Sequence, residues 1–265
     1  MTFETATVGS EATPAASPLP EINRLSLADL SYALRAGLRD FRAAPRFGLF
    51  FSSVYVLGGF LMIWLGAGTV TWTLATSLGF PLIVPFAAAG LYEVSRRLES
   101  GIPLTWSDVL GVVWRERTRQ LPWAGAIIVI YFLFWTFLAH MIFALFMGLS
   151  TMTNISTSWD PLLTREGLLM IATEFAVGGI LAFVLYALTV LSLPLLLARE
   201  VDFVSAMILS FGCVTANPGV MLAWAFLIAA ATLLALVPWF LGLVVVLPVL
   251  GHATWHLYRR ALSDP

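Results

Sequence analysis

Lysine is missing from this 265-residue chain, and only 11% of its residues are charged, whereas soluble domains carry roughly 25%. That shortage excludes a soluble globular domain and a basic nucleic-acid surface. There is one cysteine, Cys213, so no intrachain disulfide can form; it reads as a small buried apolar filler. Histidine occurs three times. No Gly-rich phosphate loop, HExxH, CxxC or GxSxG occurs, so enzyme chemistry has no motif to stand on and neither cofactor nor metal is expected.

What is present is apolar: 60% hydrophobic residues and a mean hydropathy of +0.91. The chain therefore reads as an all-α polytopic membrane protein. A helix needs about 20 apolar residues to cross the hydrocarbon core. Six stretches qualify, at about 47–65, 69–91, 122–148, 168–197, 218–236 and 238–257. Gly66, Ala67 and Gly68 suit the first hairpin turn, and Pro238 a tight break between the last two spans. The fourth run exceeds a single crossing and is expected to tilt, project from the membrane or kink at Pro194. Residues 1–23 lack a basic n-region and an apolar h-region and read as a disordered tail, leaving 24–262 as one membrane domain.

Basic residues stay on the cytoplasmic side. Arg24, Arg35, Arg39, Arg42 and Arg46 precede the first span, and Arg96, Arg97, Arg115, Arg117 and Arg119 lie between the second and third. Arg199 follows the fourth, Arg259 and Arg260 follow the sixth, and only Arg165 falls in the opposite class, beside the polar loop at 150–166. Both termini are therefore expected in the cytoplasm of a bacterial inner membrane, with the bilayer as the main partner and room for a membrane-protein partner.

A threefold pattern overlies the spans. Leu27, Leu30, Leu34, Leu38 and Phe41 recur at helical spacing before Pro45; Trp106, Val109, Leu110, Val113 and Trp114 before Pro122; Phe203, Ala206, Met207, Ser210 and Phe211 before Pro218. Each short amphipathic helix is expected on the cytoplasmic side before a hairpin of spans. Arg35, Arg39 and Arg42 suit a helix lying in the inner interface, while 203–214 is apolar enough to tuck against the bundle. "PFAAAGLYEVSRR" (85–97) aligns without a gap on "PVLGHATWHLYRR" (248–260), setting Tyr92 on Trp255 and Glu93 on His256. Trp123, Trp159, Trp239 and Trp255 read as interfacial anchors. Glu93 with Arg96 and Arg97, and Arg199 with Glu200, read as interfacial ion pairs.

Ionisable residues within spans are functional candidates, because a charge in lipid costs several kcal/mol. At about 1.5 Å per residue, His140 lies roughly 12 Å below Gly148 and Glu174 roughly 10 Å below Gly167. The two are expected at one depth, as an inward-facing polar pair that fixes helix register or belongs to an ion path. His252 and His256 share a helical face four residues apart. Of the two, His256 is expected near water and headgroups, and His252 deep enough to need a hydrogen-bond partner.

The residues "LSLPLLLAREVDFVSAMILSF", "ANPGVMLAW" and "VVVLPVLGHATWHLYRR" resemble a family of predicted bacterial integral membrane proteins of unknown function, over essentially 24–262. Members often carry the label cytochrome c oxidase subunit I. A haem-copper catalytic subunit is similar to a twelve-span bundle with six histidine ligands, and His140, His252 and His256 cannot supply that set. A looser similarity, in the helix-proline-hairpin unit, is to membrane domains attached to some glycerophosphodiester phosphodiesterases. The expected role is non-enzymatic assembly, scaffolding or membrane organisation. The alternatives are a small transporter or channel and an accessory respiratory subunit.

Overall fold

The computed structural model describes residues 19–66, 78–148 and 160–263. Expectations that fall on Ala67 and Gly68, on the start of the second span, on most of the 150–166 loop, on Trp159 and on residues 1–18 lie outside them.

The described residues are helical but for one clasp and the connecting turns. In order come β1 (Glu21–Ile22), α1 (Leu27–Ala43), α2 (Pro45–Trp64), α3 (Phe80–Ser100), α4 (Trp106–Glu116), α5 (Leu121–Met147) and a 3-10 turn (Asp160–Leu163). There follow α6 (Arg165–Thr189), α7 (Ser192–Ala198), α8 (Phe203–Ala216), α9 (Pro218–Leu236), α10 (Leu243–Ala261) and β2 (Leu262–Ser263). Among the described residues four helical stretches are long and apolar enough to cross a membrane: Pro45–Trp64, Leu121–Met147, Arg165–Ala198 and Pro218–Leu236. Along α5, Trp123, Ile127, Ile130, Phe134, Phe137, Met141 and Leu145 are all exposed at three- and four-residue spacing. One whole face of a helix this apolar is stable only against lipid or protein.

Prolines set the helix starts. α2, α5 and α9 each carry proline in the first turn, where its missing N–H has no partner to lose. The joints before α2 and α9 share one backbone geometry, with Ala44 at φ −136°, ψ 53° and Asn217 at φ −128°, ψ 52°. The joint before α5 differs, since a turn separates it from α4. Tyr92 and Trp255, matched in the internal alignment, stack with centroids 6.4 Å apart.

The fourth span breaks at Val190–Leu191, one turn before Pro194. The freed groups are caught by α8: Ser210 Oγ donates to Ala187 O at 2.7 Å and accepts from Leu191 N at 3.1 Å. Ser210 and Cys213 are wholly buried there, which seats α8 against the break.

β1 and β2 pair antiparallel, Glu21 with Ser263 and Ile22 with Leu262. Asn217 reinforces the clasp, its side chain accepting from Leu25 N at 2.8 Å and donating to Asn23 O at 3.0 Å. Order thus reaches inside the segment 1–23 expected to be a tail, because Glu21–Asn23 has the end of α10 to pair with. Residues 22 and 262 lie on the same side of any bilayer between them, so the chain crosses it an even number of times.

α1 is not a helix afloat on the interface. It lies along α10 through Leu30, Ala33, Ala36, Gly37 and Asp40, leaving Leu27 and the arginines Arg35, Arg39 and Arg42 outside. Gly37 makes the approach possible, since a Cβ there would stand 2.6 Å from both Ala253 N and Val249 O. The packing face of α1 joins the small residues Ala33, Ala36 and Gly37 to Leu30 and Asp40.

Candidate functional site

Two features concentrate polar chemistry. The first lies at the arginine-rich end, where α1, α3 and α10 meet. His256 is 4% exposed, not at the headgroups as expected from its place near the helix end, because α1 covers it. Its Nε2–H donates to Asp40 Oδ2 at 2.7 Å, and Tyr32 sets a ring edge-on at 6.4 Å. His252 is wholly buried, with Nδ1 2.8 Å from Ser95 Oγ. His252 and Ser95 thus share one buried hydrogen bond, and the Asp40 carboxylate accepts from His256 Nε2–H in another. Among the described residues two buried side-chain nitrogens, His252 Nε2 and Trp224 Nε1, have no hydrogen-bond partner.

Burial pushes the Asp40 carboxyl up. The His256 hydrogen bond and charge, joined by Ser95 and His252, outweigh that and hold it below the ordinary carboxylate range. Around this core stand ion pairs. Glu93, 1% exposed, receives Arg96 in a fork at 2.7 and 2.8 Å and Arg97 at 2.6 Å, and Arg97 reaches Asp108 at 3.0 Å. Arg260 pairs with Asp29, and Glu200 with Arg119. Trp255 is not a membrane anchor: it is buried and its indole N–H donates to Glu99 at 3.1 Å. Trp123 and Trp239 are exposed.

The second feature is a cavity of about 1060 Å³ between α5, α6 and α9, floored by α3, α7 and α10. Its walls are almost wholly apolar, with Phe132, Trp135, Ile171, Leu185 and Ile228 among them. Tyr92, Leu193 and Thr254 close the inner end. Phe175 and Leu233 belong to the lining and are 79% and 66% exposed, so the cavity opens onto an apolar outer surface. The hydroxyls of Thr189, Thr254 and Tyr186 are spent on Leu185 O, Leu250 O and Met221 O. Among the described residues Glu174 is the only charged one lining the cavity.

His140 and Glu174 lie within electrostatic reach of each other, but no hydrogen bond or ion pair between them is found among the described residues. His140 is exposed and its Nδ1–H donates to Thr136 O at 2.7 Å; Glu174 is half-buried in the cavity wall. Gly178, Gly179 and Ala182 line the same wall instead of a close helix contact, and a Cβ at Gly179 would meet nothing within 4 Å. No cluster of three or more His, Cys, Asp or Glu side chains able to hold a metal ion occurs among the described residues.

Asp40 and Ser95 were missed in the sequence. The signal for Asp40 was its place in the stripe Leu30, Ala33, Ala36, Gly37, where an acid interrupts an otherwise small apolar face. Ser95 carried none.

Residues 73–198 match a family described as "Predicted integral membrane protein (DUF2189)". That stretch takes in α3 to α7 and stops short of the GHATWH ending, which carried the resemblance in the sequence. No curated protein and no solved structure matches the chain.

Proposed function

We propose that the chain is a non-enzymatic, six-span protein of the bacterial inner membrane that organises its surroundings by holding a lipid-like amphiphile within the helix bundle. The observation that carries this reading is the cavity: large for a small-molecule site, apolar, and open toward lipid rather than toward water. Its inner end lies near the arginine-rich face, which we assign to the cytoplasm with both termini. Six crossings, with α3 and α10 counted as the inner parts of two of them, agree with the even number that the terminal clasp requires. Three helix-proline-hairpin units account for those crossings, and the shared geometry at Ala44 and Asn217 favours copies at the first and third positions.

The buried cluster speaks for structure over catalysis. Ser95 is beside a histidine, yet Ser95 and His252 have no exposed surface and neither lines the cavity, so no substrate reaches the hydroxyl. Its role is to lock α1, α3 and α10 together.

The test is to purify the full chain in mild detergent and extract what it retains. Lipid bound in stoichiometric amount after exhaustive washing is the expected result. Solute or ion flux in liposomes without retained lipid would move the assignment to transport, and a Soret band lost in His252→Ala would move it to a respiratory subunit.

A further inference from the structure

We propose that the cavity selects an amphiphile with a protonated amine headgroup and a single long acyl or alkyl chain, the amine seated on Glu174. This rests on the lipid-holding reading above and adds the chemistry of the headgroup.

Three observations lead to it. Among the described residues Glu174 is the only charged group in the wall, and no hydrogen bond or ion pair to it is found there. A carboxylate in apolar surroundings is stabilised by a cation, and an alkylammonium brings three N–H donors to it. No arginine lines the cavity, so a phosphate placed beside the head would face the carboxylate with no lining cation to offset it. A simple amine therefore fits better than a phosphorylated head. The one nearby basic side chain, His140, stands outside the wall with its Nδ1 committed to Thr136 O.

The third observation is length. Glu174 and Val190 line the cavity on the same helix run, sixteen residues apart, which is about 24 Å at 1.5 Å per residue. Carbon–carbon bonds of about 1.5 Å at near-tetrahedral angles advance an extended chain roughly 1.3 Å per carbon, so the site spans a chain of about 16 to 18 carbons. The head at Glu174 lies toward the end of α6 away from the arginine-rich face, and the chain runs down to Tyr92 and Thr254.

The experiment uses the full chain in nanodiscs of phosphatidylcholine and three probes of equal length carrying a bromine near mid-chain: octadecylamine, octadecanol and octadecanoate. Binding is read as quenching of tryptophan fluorescence. Trp135→Phe reports the share that comes from the cavity, and Gly179→Phe fills the cavity from a position where a side chain enters open space. The amine is expected to bind best, the alcohol about ten- to a hundredfold more weakly and the carboxylate not at all. Glu174→Gln should bring the amine down to the alcohol, and Gly179→Phe should remove all three signals. Equal binding of amine and alcohol, lost in Gly179→Phe, would overturn the amine assignment while leaving the lipid-holding cavity standing. Signals that Gly179→Phe does not change would overturn both.

Discussion

Replacing Asp40 with alanine should be among the costliest single changes in the protein. The side chain is 3% exposed and accepts from His256 Nε2 at 2.7 Å, in a place where no water substitutes for it. Removing the carboxylate from this buried hydrogen bond costs about 1.5–3 kcal/mol, because the His256 N–H stays buried without a partner. Against a total stability of roughly 5–15 kcal/mol, that is a large share. Asp40→Asn keeps the shape and one acceptor oxygen and should cost about 1–3 kcal/mol. Stability can be followed by unfolding from mixed micelles with increasing sodium dodecyl sulfate, using the Trp255 environment as the signal. The double variant Asp40→Ala/His256→Ala should lose less than the sum of its singles by about 1–3 kcal/mol. The pH dependence has a fixed sign. A carboxyl held below its ordinary value of 3.8 contributes stability that is fully present above that value and is lost as pH falls through the lower, folded-state value. The gap between wild type and Asp40→Asn should therefore be constant at neutral pH and close below about pH 4. Additive singles, each costing under about 1 kcal/mol, would refute the interlocked arrangement of α1, α3 and α10.

Gly37→Ala should force α1 away from α10, since the new Cβ meets backbone at 2.6 Å and not a side chain that can turn aside; a loss of about 1–3 kcal/mol in the same unfolding assay is expected. Ser210→Ala strips the patch from the break at Val190–Leu191, orphaning Leu191 N–H and Ala187 O, and should cost about 1–3 kcal/mol, whereas Ser205→Ala on the exposed start of α8 should cost less. Single cysteines placed at Glu21 and, in a separate variant, at Ser263, each in a Cys213→Ser background, should react with a membrane-impermeant thiol reagent from the same side of sealed vesicles; labelling from opposite sides would contradict the terminal clasp.

Much of the fold is legible in the sequence because hydrophobic run length and proline placement act locally. Pro45, Pro122 and Pro218 begin helices wherever the rest of the chain lies, and the apolar length of α2, α5, α6 and α9 suffices to mark them as crossings. What the sequence does not display is which face turns inward. Leucine spacing on α1 suggests a lipid-facing stripe, yet of those leucines only Leu30 is fully buried, beside Ala33, Ala36, Gly37 and Asp40, where α10 comes close. The same blindness covers His256: proximity to Arg260 suggests water, and only the 216-residue-distant Asp40 explains its burial. Asp40, Ser95 and the cavity depend on non-local packing, and periodicity along one helix carries no record of it. Glu174 is the exception, since an acid in the middle of an apolar run is conspicuous before any partner is known.

The most direct measurement of the central claim is native mass spectrometry of the wild-type chain and of Gly179→Phe, each released from nanodiscs made with the native membrane lipids. The wild type should emerge with one amphiphile bound per chain, and Gly179→Phe, folded and monodisperse, should emerge bare. Equal lipid on both, or none on either, would contradict a cavity that exists to hold it.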